Sequence, residues 1–270
     1  MIVRRTGATI ALVATFVATL VAGCAGIAGF GSPTPRADVT VFAAASLRDA
    51  IGAVADEFRL RGSVPVSVST DSSATLRTQI EQGARADVFL SADTANPELL
   101  AAAGLVDGAL VPFAGVRLSI VVPADNPAGI ATPFDLGRVG LKIVAAGPSV
   151  PITAYATALV ENLAAMRGAP VDLVGAYEAN VASREDNVRA ALAKVELGEA
   201  DAAIVYASDA AGSSAVVTID IPPEANVVAT YAGAVPTTAA NIDGGHGFLD
   251  FLVAPDGQAI LARFGFEPPP

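Results

Sequence analysis

Serine hydroxyls dominate the chemistry open to this chain, and they recur at one kind of place. In Ala43-Ala44-Ala45-Ser46-Leu47 a serine stands where an apolar run gives way to a helical pattern. Asp71-Ser72-Ser73-Ala74-Thr75-Leu76 repeats the arrangement, as do Gly147-Pro148-Ser149-Val150-Pro151 and the stretch from Ser183 to Asn187. A helix start presents unpaired N–H groups and a partial positive charge, which together favour an anion. A serine there also has a purely structural use as an N-cap, contributing about 1 kcal/mol with no ligand at all. Tyr206 ends the apolar run Ala203-Ile204-Val205, and its phenol can either face a cleft or be satisfied within a core.

Other chemistry is scarce. The 270 residues hold one cysteine, Cys24, and one histidine, His246. Structural disulfides, zinc fingers, iron–sulfur sites and multi-histidine metal sites are therefore excluded. No G-x-S-x-G elbow, P-loop or dinucleotide fingerprint is present. A serine triad would have to use His246, which lies in Gly244-Gly245-His246-Gly247 and reads as a solvated residue of a flexible turn. Asp87 and Asp93 flank a strand end and could pair, although Asp93 reads equally as a helix cap. Asp201 and Asp209 bracket the Tyr206 strand as turn residues, and Glu185-Asp186 suits the positive end of a helix dipole. With 16 basic against 27 acidic residues, a net charge of −11, the chain cannot displace counterions from a nucleic acid as a binder must. Tryptophan is absent and aromatics make up 6%, so stacking platforms for sugars or bases are poorly supported.

The elements that would position these groups alternate. Val39–Ala43 reads as a buried strand, and Leu47, Ala50, Ile51, Val54, Ala55 and Phe58 form a helical stripe. Ser46 with Asp49 three residues on is a variant capping box. Further strands are expected at 64–68, 86–90, 116–122, 142–145, 202–206 and 227–235. Helices are expected at 75–82, stopped by Gly83, and at 97–103, 151–166, 183–197 and 247–264, with Pro151 at a first helical position. Such alternation argues an α/β fold, a parallel or mixed sheet with helices on both faces. With 53% hydrophobic residues, 16% charged ones and enough length for a large core, the body is neither disordered nor a membrane bundle.

The N-terminus carries an address. Arg4 and Arg5 precede the apolar stretch Ala8–Ala22, which ends in Leu20-Val21-Ala22-Gly23-Cys24. This resembles a bacterial lipobox, with residues 1–23 as the signal peptide and Cys24 as the acylated residue. Residues 24–37, rich in Gly, Pro, Ser and Thr, read as a flexible tether. Two acyl chains anchor stably where one would be reversible, so the expected location is the extracytoplasmic face of the cell membrane.

The motifs in order resemble one family. They are Val39–Leu47, Ser72-Ser73-Ala74-Thr75-Leu76, Ala86–Asp93, Val150-Pro151, Val188-Arg189-Ala190-Ala191-Leu192, Ile204–Ala210 and Phe264-Gly265-Phe266. Together they are similar to the molybdate-binding proteins of bacterial ABC importers, which are type II solute-binding proteins. The resemblance implies a two-lobed α/β fold with the ligand cleft between lobes, each lobe a mixed sheet flanked by helices. Residues 38–118 with 236–270 would form the first lobe and 119–235 the second. It implies that molybdate or tungstate is held by the hydroxyls and N–H groups of Ser46 and Ser73, backbone N–H groups of Ile152 and Val188, and the phenol of Tyr206. Ile152 is larger than the residue usual at that place, so its side chain must point away from the anion. No cofactor, metal-ion ligand or catalysis is implied; the partners are a membrane permease and its ATPase, and the protein itself is a monomer. A binder of another small oxyanion, sulfate or phosphate, is the alternative within the class. A lipid-anchored serine hydrolase built on Ser46 or Ser73 and a ligand-free cell-wall adhesin are the rivals outside it.

Overall fold

The computed structural model describes residues 38–62 and 64–270. The expected signal peptide, Cys24 and the tether lie outside the described residues. The chain opens with strand β1 (Val39–Ala44), a single turn of 3-10 helix at Ala45–Leu47 and helix α1 (Arg48–Gly62). β2 (Val66–Asp71), α2 (Ser73–Glu81), β3 (Val88–Ser91) and α3 (Ala95–Ala102) follow. A long strand, β4 (Val106–Pro123), leads to β5 (Ile143–Ala146), α4 (Pro151–Ala164), α5 (Leu173–Asn180) and β6 (Val181–Glu185). The remainder comprises α6 (Val188–Glu196), β7 (Ala202–Tyr206), α7 (Ala207–Ala211), β8 (Val216–Ile219), β9 (Val228–Pro236), α8 (Ile242–Val253) and α9 (Pro255–Arg263).

The strands hydrogen-bond in the order β2-β1-β3-β9-β4-β7-β5-β6, with β8 also pairing β4. The first half is mixed: β1 runs parallel to β2 and β3, while β9 is antiparallel to both β3 and β4. The second half is also mixed, with β5 parallel to β6 and β7, and β4 antiparallel to β7. β4 serves both halves, pairing β9 through Arg117 and β7 from Leu118 onward. A lobe boundary between residues 118 and 119 therefore falls inside this strand. Parallel strands covered on both faces must be apolar throughout, and β3, β5 and β7 are buried along their whole length.

The structure corrects several local readings. β4 begins ten residues before the expected strand, because Gly108 and Pro112 hide its start and are absorbed by register shifts at Asp107/Val111 and Pro112/Ala114. The helix expected over 183–197 is a strand followed by a helix starting at Val188. Val181–Glu185 alternates half-buried and exposed positions at the sheet edge, so its polar residues suit a strand bonded on one side. α5 and β8 were not expected. Pro255 divides the expected terminal helix into α8 and α9. Among the described residues no helix is long and apolar enough to cross a membrane.

Candidate functional site

Five strand ends converge on one cavity. β1, β2, β5, β6 and β7 each end in a loop that opens a helix, and in open α/β sheets ligands bind beyond those carboxyl ends. The cavity is small and partly open, with Ser46 and Ser73 on one side and Val150, Pro151, Asn187, Val188 and Tyr206 on the other. Both sheet halves thus contribute walls. None of the residues lining it is charged.

Ser46 does not cap a helix. The turn before α1 is capped by Ala44 without a side-chain bond, and Asp49, its expected capping-box partner, instead pairs with Arg189 at 2.6 Å. The Ser46 hydroxyl is buried and lies 2.9 Å from the Tyr231 hydroxyl. The adjacent serines of the second loop divide their work. Ser72 is the N-cap of α2, its Oγ accepting from the Thr75 N–H at 3.2 Å and lying 2.8 Å from Thr75 Oγ1. Ser73, fully buried, accepts the Ala92 N–H on its Oγ at 3.0 Å. Its own hydroxyl hydrogen therefore stays available for donation.

The second half supplies backbone. Pro151 lacks an N–H, so the first free donor of α4 is that of Ile152. Ile152 is buried and lines a separate small cavity with Ala145, Ala146 and Ile204, not this one; its bulk turns away, as its size demands. Thr153 fixes this loop, its hydroxyl donating to the Gly147 carbonyl at 2.8 Å. α6 is capped by Asn187, whose Oδ1 accepts from the Ala190 N–H at 3.0 Å. That leaves the Val188 N–H among the unpaired donors of the first turn.

Tyr206 closes the floor. It is 1% exposed, and its hydroxyl makes no hydrogen bond of acceptable geometry, although it stands beside that of Tyr231. An unmatched buried hydroxyl costs about 1–3 kcal/mol. Burial pushes the phenols of Tyr206 and Tyr231 well above the usual value, and that of Tyr155 up to about 12, so all three stay protonated donors at neutral pH. The rings pack edge-on, Tyr155 on Tyr206 at 6.5 Å and Tyr206 on Tyr231 at 5.5 Å between centroids.

The acidic candidates are structural. Asp87 accepts the N–H groups of Thr40 and Asn241, both at 2.8 Å, whereas Asp93 bonds Ser91 and Asn96, so the two do not pair. Glu185 pairs with Lys194 at 2.8 Å instead of serving the α6 dipole. Asp209 is no turn residue: it is fully buried in α7 and stands 2.6 Å from Arg189 Nε, close in distance but outside hydrogen-bond angles, so the contact is an ion pair. Burial raises its carboxyl to about 7, against the pull of Arg189. His246 belongs to α8, not to a flexible turn; its Nε2 lies 2.7 Å from Asp107, and it takes no part in the cavity.

Parallel strands ending at one uncharged, donor-lined cavity suit a protein that holds a small solute. The family model for bacterial extracellular solute-binding proteins matches residues 39–267, and the chain belongs to that family. The molybdate-binding protein ModA of Mycobacterium bovis is 36% identical over 257 residues, covering 91% of this chain and 94% of that protein. ModA of Escherichia coli is 33% identical over 243 residues, covering 84% and 88%. Among solved structures, the sulfate-binding protein SubI of Mycobacterium tuberculosis superposes with a TM-score of 0.75 at 25% identity, over 86% of this chain and 87% of its own.

Proposed function

We propose that this chain is the substrate-binding protein of a molybdate importer of the ABC type, taking tungstate as well. The observation that carries the reading is the Tyr206 hydroxyl, buried without a hydrogen bond at the floor of a cavity otherwise offered donors by Ser46, Ser73 and the starts of α4 and α6. A tetrahedral dianion would accept from all of them: the hydroxyls of Ser46, Ser73 and Tyr206, and the backbone N–H groups of Ile152 and Val188. Each such bond to a charged group contributes about 1.5–3 kcal/mol net. A donor-only site rejects a protonated oxyanion, whose O–H would be left buried and unmatched. Sulfate is also fully deprotonated and would have to be excluded by size.

In this reading the chain makes and breaks no bond. The two halves are lobes, residues 38–118 with 236–270 and residues 119–235, which close on the anion by hinge motion. The closed monomer is presented to a permease driven by a cytoplasmic ATPase. Acylated Cys24 holds it on the extracytoplasmic face, a role supported by the motif around that cysteine.

Thermal unfolding of residues 25–270 with molybdate, tungstate, sulfate and phosphate added in turn tests the proposal. A ligand bound only by the native state adds about 2.7 kcal/mol at a hundredfold excess over its Kd. Midpoint shifts with molybdate and tungstate alone are expected. A shift with sulfate alone would keep the site and replace the substrate, and no shift with any anion would refute the site.

A further inference from the structure

Tyr231 lies on β9, outside the set of anion donors, and is fully buried. Its ring is fixed by edge-on packing against Phe113, Tyr206 and Phe266, with centroids 6.1, 5.5 and 5.4 Å away. Its hydroxyl has one good hydrogen-bond partner, Ser46 Oγ at 2.9 Å. We propose that Tyr231 is a positioning residue that fixes the polarity of the oxyanion site: it donates to Ser46 and so commits the Ser46 hydroxyl to donating into the cavity. The inference rests on the oxyanion reading of that cavity.

The direction of the Ser46–Tyr231 bond follows from charge. Ser46 has one hydrogen, and a bond to a dianion is roughly twice as strong as one between neutral groups. With an anion bound, that hydrogen goes to the anion. The phenol then keeps its partner only by donating to the Ser46 oxygen. Burial, reinforced by the charge of Asp209, holds the phenol proton in place, so Tyr231 remains a donor across the neutral range.

A serine hydroxyl left to itself rotates, and can accept as readily as donate. With one acceptor lone pair of Ser46 engaged by Tyr231, and one of Ser73 by the Ala92 N–H, each hydroxyl keeps a single lone pair besides its hydrogen, and turning that lone pair to an acidic oxyanion costs it the bond its hydrogen would make. Removing the Tyr231 hydroxyl releases the engaged lone pair of Ser46 for that purpose. Tyr231 would thus act on the choice between fully deprotonated and protonated oxyanions, not only on the strength of binding.

The test is titration calorimetry of the wild type, Tyr231→Phe, Ser46→Ala and the double variant with molybdate and, separately, with inorganic phosphate at pH 7. Tyr231→Phe keeps the ring and its packing. It is expected to weaken molybdate about tenfold while leaving phosphate affinity unchanged or raised, which narrows the ratio between the two. Ser46→Ala should cost several-fold less affinity in the Tyr231→Phe background than in the wild type. Equal loss for both anions, independent multiplication of the two effects, or unchanged molybdate affinity would each overturn the proposal. If the Tyr231→Phe chain does not fold, the ring ¹³Cζ resonance of Tyr231 in the wild type decides. It must shift on molybdate addition as the phenol becomes an obligate donor, and an unmoved resonance refutes the role. A wild type that binds neither anion removes the oxyanion reading and this inference together, whereas a wild type that binds with an indifferent Tyr231→Phe removes this inference alone.

Discussion

Replacing Tyr206 by phenylalanine should move stability and binding in opposite directions. Its hydroxyl is buried and has no hydrogen-bond partner within the chain, so deleting the oxygen removes a desolvation cost of about 1–3 kcal/mol while the ring keeps its contacts with Tyr155 and Tyr231. For a body of this size each kcal/mol corresponds to about 2–4 °C in the midpoint. The unliganded Tyr206→Phe chain should therefore unfold at least as high as the wild type, and by a few degrees higher if the cost is fully recovered. Molybdate affinity should fall, because one charge-assisted bond of about 1.5–3 kcal/mol is lost, a factor of about 10 to 150. Scanning calorimetry without ligand and titration calorimetry with molybdate measure the two arms on one preparation. A variant that loses more than about 1 kcal/mol of stability while binding as the wild type does would show that the hydroxyl belongs to the core, and the reasoning would fail.

The paired serines give a control on register. Ser72→Ala should lose about 1 kcal/mol of stability, as other cap deletions do, with molybdate affinity unchanged, since its hydroxyl is spent on Thr75. Ser73→Ala should weaken molybdate by about 1–3 kcal/mol and also strand the Ala92 N–H; the reverse pattern in calorimetry would shift the site by one residue. Asp209 predicts a pH dependence. Its carboxyl is raised from 3.8 to about 7 in the fold, so its contribution is fully present below about pH 4 and is lost as pH rises through 7. Urea denaturation should show the Asp209 contribution as stability falling between about pH 4 and pH 7 in the wild type relative to Asp209→Asn, whose profile should be flatter over that stretch; an identical slope in both chains would refute the assignment.

The alternation of elements was legible because most are long enough to show their period: the stripe on α1 and the apolar runs of β1, β3 and β7 need no partner to be recognised. What failed were elements whose reason lies elsewhere in the chain. β6 is polar because it is an edge strand, a fact that exists only once β5 has paired with it. The beginning of β4 carries Gly108 and Pro112 because register shifts against β9 accommodate them. At the site, Ser46, Ser73, Val188 and Tyr206 come together around the cavity, while Ile152 shows its backbone and hides its side chain. Tyr231 does not stand out inside an apolar strand, since nothing in Thr230-Tyr231-Ala232 foretells a hydroxyl 185 positions away in sequence. Asp209 reads as a turn residue, because one aspartate after a strand carries no sign of the half-buried arginine that stands beside it in the fold.

The place of β9 bears on how the chain comes into being. It inserts between β3 and β4, so the sheet begun by residues 39–91 is not closed until Val228–Pro236 has been made. Pairings of that sequence separation form late and slowly. A ribosome would therefore have delivered nearly the whole polypeptide before its first half could lock. Until β9 arrives, the edge of β3 that it will cover has no partner strand, and the first half lacks its link to β4.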